Sequence, residues 1–187
     1  MNTDCLSQPS RECDDRDEPG SSAEGDDLPE QAGRPAPEPK DLSIESSLLT
    51  PDQLSLLRTR TATLLPLLPR AVARVGVRIV DDAEMIGLHD RWHDKPSTTD
   101  VITFEANTNG PLEVDLVLCL DEASRASERR GHDADDELVL YVLHGLLHCC
   151  GYDDTSDTLA AAMHQEEDRL LVAIGLQAIY STQDHAE

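Results

Sequence analysis

Aromatic side chains are scarce in this 187-residue sequence, which has one tryptophan, one phenylalanine and three tyrosines. It also lacks a run of about 18 apolar residues, which disfavours a membrane-spanning helix. A secretory signal begins with basic residues that are followed by an apolar stretch. The first residues here are acidic, which disfavours such a signal. The five cysteines are odd in number and irregularly spaced, so they do not predict a disulfide framework. We therefore expect a cytoplasmic protein with reduced thiols and no membrane partner.

Basic residues are also few: 15 lysines and arginines stand against 38 acidic residues, for a net charge of −23. This charge repels nucleic acid at long range, so no DNA partner is expected and any RNA must be bound by a local patch. The clearest basic cluster is formed by Arg125, Arg129 and Arg130 with His132, on a predicted helix. It either contacts phosphate or forms the solvated end of that helix, near the negative pole of the helix dipole.

The acidic residues are unevenly distributed along the chain. Residues 1–41 hold 12 acidic and four basic residues, separated by proline, glycine and serine, with almost no large apolar side chains. Such a segment buries too little surface to offset the entropy of ordering it. The pattern predicts a disordered acidic arm at 1–41, a folded domain at 42–180 and a short tail at 181–187.

Hydrophobic periodicity and turn residues predict an α+β domain. Thr50, Pro51 and Gln53 form a helix start with a capping box. Strands are predicted near 74–80, 101–104 and 113–120, and helices near 81–92, 121–130, 134–150 and from 156. Because the chain ends in helices only, we expect one small mixed sheet with the helices packed mainly on one side.

Two histidines mark a candidate metal site at the end of the predicted central helix. His144 and His148 are four residues apart, so on a helix they project from the same face. Gly151 can end the helix in a left-handed turn and return a carboxylate, from Asp153 or Asp154, toward the same ion. Two histidines and one carboxylate leave a position open, as in catalytic zinc sites. The alternative is a pair of core histidines satisfied by hydrogen bonds.

The residues beside these histidines limit the chemistry. Gly145 stands where zinc proteases of the His-Glu-x-x-His type carry their general base, so that mechanism lacks its acid/base here. Cys149 and Cys150 point away from the face that carries His144, which favours packing over a role as thiolate ligands.

Three segments resemble motifs of the YbeY family of bacterial endoribonucleases. Residues 144–154, His-Gly-Leu-Leu-His-Cys-Cys-Gly-Tyr-Asp-Asp, resemble the family signature His-Gly-x-Leu-His-x-x-Gly-Tyr-Asp-His. Residues 99–104, Thr-Asp-Val-Ile-Thr-Phe, and the strand at 115–119 are similar to two further family segments, and Met163 with Glu166 or Glu167 falls where the family has a Met-and-Glu helix.

This resemblance implies a compact endoribonuclease that depends on one Zn²⁺ ion and cuts single-stranded RNA in the cytoplasm. The family acts in maturation of the small-subunit (16S) ribosomal RNA and in ribosome quality control. The implied partners are therefore single-stranded RNA and the small ribosomal subunit, and the implied metal ligands are His144, His148 and Asp154.

The sequence departs from the family at two functional positions. Asp154 stands in place of the third histidine ligand, which lowers the formal charge of the metal–ligand set by one and weakens the ion as a Lewis acid. In ungapped alignment His93 stands in place of an arginine thought to face the RNA phosphate, with Arg91 two residues away, and an imidazole is a weaker phosphate clamp. The alternative is that His93 is a loop histidine without a catalytic role. We expect His93 to handle substrate phosphate or a proton, and Asp115 to orient a metal-binding histidine.

Two other functions remain open from the sequence. One is a metalloprotease that uses a different general base. The other is a ribosome-assembly factor in which the metal is structural and catalysis is weak because of Asp154 and His93.

Overall fold

A computed structural model describes residues 41–181. The predicted tail beyond Ser181 and the predicted arm, apart from Asp41, lie outside the described residues. The elements are β1 (Asp41–Glu45), α1 (Pro51–Leu64), a 3₁₀ turn (Leu65–Leu67), β2 (Val72–Val80), α2 (Asp82–His93), β3 (Val101–Glu105), β4 (Leu112–Cys119), α3 (Leu120–Arg130), α4 (Ala134–Cys149) and α5 (Asp157–Ala173). Among the helices described, none combines the length and apolar character needed to cross a membrane.

The four strands form one mixed sheet in the order β1-β2-β4-β3. Strands β1, β2 and β4 run parallel, and β3 pairs antiparallel with β4. The predicted α+β fold with a small mixed sheet is therefore confirmed.

Strand β1 was not predicted from the sequence. Its five residues, Asp-Leu-Ser-Ile-Glu, alternate polar and apolar side chains, but with two apolar positions the pattern is short and it adjoins the acidic segment. Ile44 is buried against the core, and Asp41 pairs with Arg74 in the parallel register with β2. The last residue of the predicted arm thus lies inside the sheet.

Local signals in the sequence explain where the helices begin and end. Thr50 and Gln53 form the predicted capping box at the start of α1, and Asp81 caps α2 by accepting a hydrogen bond from the Glu84 backbone. Gly131 after α3 and Gly151 after α4 have φ of 78° and 94°, which glycine adopts without strain. These glycines end α3 and α4, and α4 carries the two histidines of the candidate site.

The alternation of side chains along β4 separates the two faces of the sheet. Val114, Leu116 and Leu118 belong to the main core, together with the buried side of α4. Val117 and Cys119 point to the opposite face, where they pack with Met85 of α2. Most helices therefore pack on one side of the sheet, with α4 at the centre of the core and α2 alone on the other face.

Candidate metal centre

The two histidines of the candidate site lie on the last two turns of α4. Every residue from Glu137 to Leu143 is buried, as are Gly145, Leu146 and Leu147, so this helix is fixed on nearly all sides. His144 and His148 lie one turn apart and are only partly buried. Their Nε2 atoms are 3.0 Å apart, so the two imidazoles point at the same location.

Asp154 brings a carboxylate to the same location. After Gly151 the chain reverses, and Asp154 Oδ2 lies 3.8 Å from His144 Nε2. One donor atom from each of His144, His148 and Asp154 lies within 4.8 Å of the others. Ligands around a tetrahedral zinc ion at 2.0 to 2.1 Å are about 3.3 Å apart, a value between the two measured separations.

Asp153, the other carboxylate considered from the sequence, has a different role. It accepts hydrogen bonds from the backbone N–H groups of Asp154 and Thr155 and from the Thr155 hydroxyl. These bonds, the Thr155 hydroxyl foremost, lower the pKa of Asp153. Asp153 therefore stabilises the turn that presents Asp154.

The outer nitrogen of each ring is held by a hydrogen-bond acceptor. His144 Nδ1 lies 2.8 Å from Glu167 Oε1, and His148 Nδ1 lies 3.1 Å from the carbonyl oxygen of Tyr152. Because each Nδ1 faces an acceptor, we assign the ring hydrogen to it, which leaves a lone pair on each Nε2. Two lone pairs and a carboxylate at one location repel each other unless a cation lies between them. The donor set therefore fits a divalent metal ion.

Glu167 was only loosely indicated by the sequence. It lies on α5 with its side chain fully buried, whereas its neighbour Glu166 pairs with Arg169. Burial would lower the pKa of His144, but the hydrogen bond to Glu167 and the negative charges of Glu167, Asp100 and Asp154 together outweigh burial, so the pKa is raised. A carboxylate behind a metal-binding histidine fixes the ring and strengthens it as a ligand.

The expectation that Asp115 orients a metal-binding histidine is wrong. Asp115 accepts two hydrogen bonds from the guanidinium of Arg74, and its side chain is 55% exposed. It lies between Val114 and Leu116 on β4, so strand alternation directs it to the face opposite α4. The carboxylate that contacts a histidine of the candidate site is Glu167.

His93 is the last residue of α2 and is exposed. Its ring meets His89 edge-on at 5.4 Å, and the loop that follows is held by a 2.8 Å contact between His89 Nδ1 and the Ser97 carbonyl. His93 is not among the described residues that line the cavity beside His144. Its predicted role stays a prediction.

A cavity of about 350 Å³ opens beside His144. Thr98 and Thr99, from the loop before β3, form part of its wall, and Arg129 and Tyr180 form another part. The cavity thus combines hydroxyl, guanidinium and aromatic groups with the carboxylates of Asp100 and Glu122, next to one of the candidate metal ligands.

The basic cluster predicted on α3 is mostly used inside the protein. Arg125 donates to Asp82 and Glu122, and Arg130 and His132 both bind the buried carboxylate of Glu137. Arg129 pairs with Glu122 at 3.1 Å. Arg129 is 62% exposed, so it is the member of the cluster best placed to contact a ligand.

Gly145, between the two histidines, has a steric explanation. A Cβ atom at this position would lie 2.8 Å from Leu116 Cδ2 and 2.8 Å from Thr103 Oγ1. The side chain would therefore collide with the sheet, and a glutamate could not fit. This excludes the general base of a His-Glu-x-x-His protease from this position.

Fold and donor set together define a small α+β protein with a site suited to one divalent cation. Residues 54–175 match the family model of endoribonuclease YbeY. The chain belongs to this family, as the resemblance of its motifs predicted.

Individual relatives support the assignment. The endoribonuclease YbeY of Micrococcus luteus is 39% identical over 109 residues, which cover 53% of this chain and 69% of that protein. The protein of the same name from Anaeromyxobacter sp. is 38% identical over 64% of each chain, and that from Acidothermus cellulolyticus is 33% identical over 65% of this chain and 83% of its own. The first two alignments thus span about two thirds of the relatives' lengths.

A solved structure shares the fold. The solution structure of TM1509 from Thermotoga maritima aligns with a TM-score of 0.52 over 72% of this chain and 88% of that chain. The two sequences are 20% identical, so this likeness concerns the fold alone.

Proposed function

We propose that this protein is a zinc-dependent endoribonuclease that cuts single-stranded RNA in maturation of the small-subunit 16S ribosomal RNA and in ribosome quality control. Membership of the endoribonuclease YbeY family supports a nuclease. The observation that carries the proposal is the convergence of His144, His148 and Asp154 donor atoms within 4.8 Å. The proposed partners are single-stranded RNA and the small ribosomal subunit, and the proposed location is the cytoplasm.

One zinc ion would be held by His144, His148 and Asp154. When bound, such an ion supplies Lewis acidity toward a phosphodiester oxygen. The carboxylate of Asp154 reduces the charge of this set relative to three histidines, so we expect an enzyme of attenuated rate.

The chain's own residues prepare the site in three ways. Glu167 and the Tyr152 carbonyl fix the two imidazoles, so that little reorganisation is needed when a metal or substrate arrives. Thr98 and Thr99 shape the cavity beside His144, but their hydroxyls donate to Asp82 and Asp100, so the group there that can meet a phosphate is the exposed Arg129 guanidinium on the rim. We assign His93 a supporting role in phosphate binding or proton handling, since it directly precedes the loop that leads to Thr98.

One feature disfavours a protein substrate. The position after His144 has no space for the glutamate that a His-Glu-x-x-His protease uses as its base, so a peptidase of that type would lack its acid/base group here. The proposed preference for a single strand over a duplex is supported by the general rule that unpaired bases are open to contact, whereas bases in a duplex are held in the helix.

The test is cleavage of a single-stranded RNA and of the same strand in a duplex by the zinc-loaded protein. We expect cleavage of the single strand, strong reduction in the His148→Ala variant, and faster cleavage by Asp154→His because the third ligand is then neutral. Cleavage of an unstructured protein in place of RNA would favour the protease. Binding to small subunits without cleavage above the level of a His144→Ala control would favour the assembly factor.

A further inference from the structure

The sequence's single tryptophan and single phenylalanine lie together on the surface. Trp92, in the last turn of α2, is 56% exposed and meets Phe104 of β3 edge-to-face with ring centroids 5.4 Å apart. The pair forms one wall of a groove of about 470 Å³ on the sheet face that α2 covers only in part. In a chain with 3% aromatic residues, an indole left this exposed is available for contact with a ligand.

Unpaired cationic side chains flank this tryptophan. Of the 11 arginines and lysines among residues 41–181, eight form ion pairs with carboxylates. The other three are Arg58, which donates to the Leu42 carbonyl, and Arg91 and Lys95 beside Trp92. The Arg91 guanidinium lies 5.6 Å from the centroid of the Trp92 ring.

The cations at this surface are offset by acids, because the exposed Asp90 and Asp94 lie on the same stretch of chain, and Glu45 and Asp115, the latter paired with Arg74, line the groove. Attraction from a distance is therefore weak, and a polyanion would be bound by short-range contacts. Stacking on an indole is such a contact, because every nucleobase offers a π face. Arg91 and Lys95, which form no ion pair with a carboxylate among the described residues, can then each contact a phosphate.

We propose that Arg91, Trp92 and Lys95 form a stacking platform that binds one base of a single-stranded RNA on Trp92, with the two cations on the flanking phosphates. This inference rests on the proposed function, which it extends from the reacting site to a neighbouring binding site. The groove has a volume within the range of ordinary ligand sites, and Phe104 supports the indole from the side.

The stacking platform and the cavity beside His144 are close along the chain. Thr99, which lines that cavity, is seven positions after Trp92, so their Cα atoms are at most about 25 Å apart. The platform lies on the α2 face of the sheet and the cavity on the α4 face, so a strand that reaches both has to pass the sheet edge at β3. The platform would hold the strand several nucleotides away from the one in the cavity.

Trp92 itself supplies the probe, because its emission is the only tryptophan signal in the chain. The full-length, zinc-loaded protein is titrated with a 2′-O-methyl oligoribonucleotide of about ten nucleotides, which resists cleavage, and with the same strand annealed to its complement. We expect saturable quenching by the single strand and a much smaller effect from the duplex.

Variants separate stacking from charge. By anisotropy of a labelled strand, Trp92→Ala should weaken binding by about fivefold to a hundredfold, and Trp92→Phe should retain most of the affinity. Combined Arg91→Ala and Lys95→Ala should reduce the slope of log affinity against log salt by about 1.4, the value for two phosphate contacts on a single strand. Arg58→Ala, the matched unpaired arginine, should leave affinity and slope unchanged.

Three results would overturn the inference. The first is unaltered Trp92 emission at saturating RNA, and the second is equal quenching by the duplex. The third is emission that changes on dilution without RNA, which would show that a second copy of the chain covers this face. Cleavage is scored separately. RNA stacking on Trp92 without cleavage would support the platform and contradict the proposed nuclease. Cleavage with an unchanged KM in Trp92→Ala would support the nuclease and contradict the platform.

Discussion

The buried carboxylate of Glu167 on α5 accepts a hydrogen bond from His144 Nδ1 on α4 across 2.8 Å. This contact links the last long helix to the histidine helix and fixes which nitrogen of His144 faces Asp154. The geometry of the candidate metal centre therefore depends on a residue that binds no metal.

Replacing Glu167 should weaken metal binding more than it changes the fold. We expect Glu167→Gln to reduce zinc affinity by about 10- to 100-fold, because the ring loses the charge that strengthens its Nε2 as a ligand. Competition with a chelator of known affinity measures this. Glu166→Gln is the matched control, since Glu166 lies on the same helix but pairs with Arg169. Equal affinities in the two variants would contradict the positioning role of Glu167.

Sequence reasoning brought together the candidate metal ligands better than the residues that support them. His144 and His148 are separated by one helical turn, and a glycine such as Gly151 is typical of a helix end. Signals within a few residues therefore predict that the two histidines lie together. Glu167 reaches His144 through the packing of α5 on α4, and no spacing along the chain encodes that contact. The role given to Asp115 was wrong because the sequence did not reveal which face of β4 points toward α4.

The helices and strands show the same difference between what local signals predict and what long-range packing decides. Helix ends with capping residues were predicted because the signals lie within a few residues of each other, as at Thr50 and Gly131. Strand β1 was missed because its stability comes from pairing with β2, some 30 residues away, and not from its own short apolar pattern.

Substitution of Gly145 should destabilise the protein. An alanine Cβ would lie 2.8 Å from Leu116, which is buried and has little freedom to move, so we expect Gly145→Ala to lower the free energy of unfolding by about 1–3 kcal/mol. Gly87, in α2, has no atom within 4 Å of the corresponding position. Gly87→Ala should therefore raise the free energy of unfolding by about 0.5–1 kcal/mol. Urea denaturation of both variants checks the contrast, and a shift of the same sign in both would refute the steric explanation.

Asp168 should make stability depend on pH. Burial would raise its pKa, but backbone N–H groups of Ile179, Tyr180 and Ser181 donate to the carboxylate and outweigh burial, so the pKa is lowered. A lowered pKa in the folded state adds stability above the unfolded value of about 3.9, and this is lost as the pH falls through the folded value.

We therefore expect Asp168→Asn to lower the free energy of unfolding by about 1–3 kcal/mol at pH 7, with a difference from wild type that shrinks below about pH 4. Denaturant unfolding across this pH range measures the effect. Glu128→Gln removes an exposed carboxylate of α3 and serves as the charge control, with no expected change. A deficit of Asp168→Asn that persists unchanged at pH 2.5 would show that the ionised carboxylate is not its cause.

The most direct test of the metal centre is the number of zinc ions per chain, counted by native mass spectrometry at equal zinc concentration. The protein should carry one zinc ion, and His144→Ala, His148→Ala and Asp154→Ala should each carry essentially none. His164→Ala, which alters a histidine stacked on Tyr180, should keep the ion. A wild-type protein without zinc, or full occupancy in any of the three ligand variants, would contradict a shared cation at His144, His148 and Asp154.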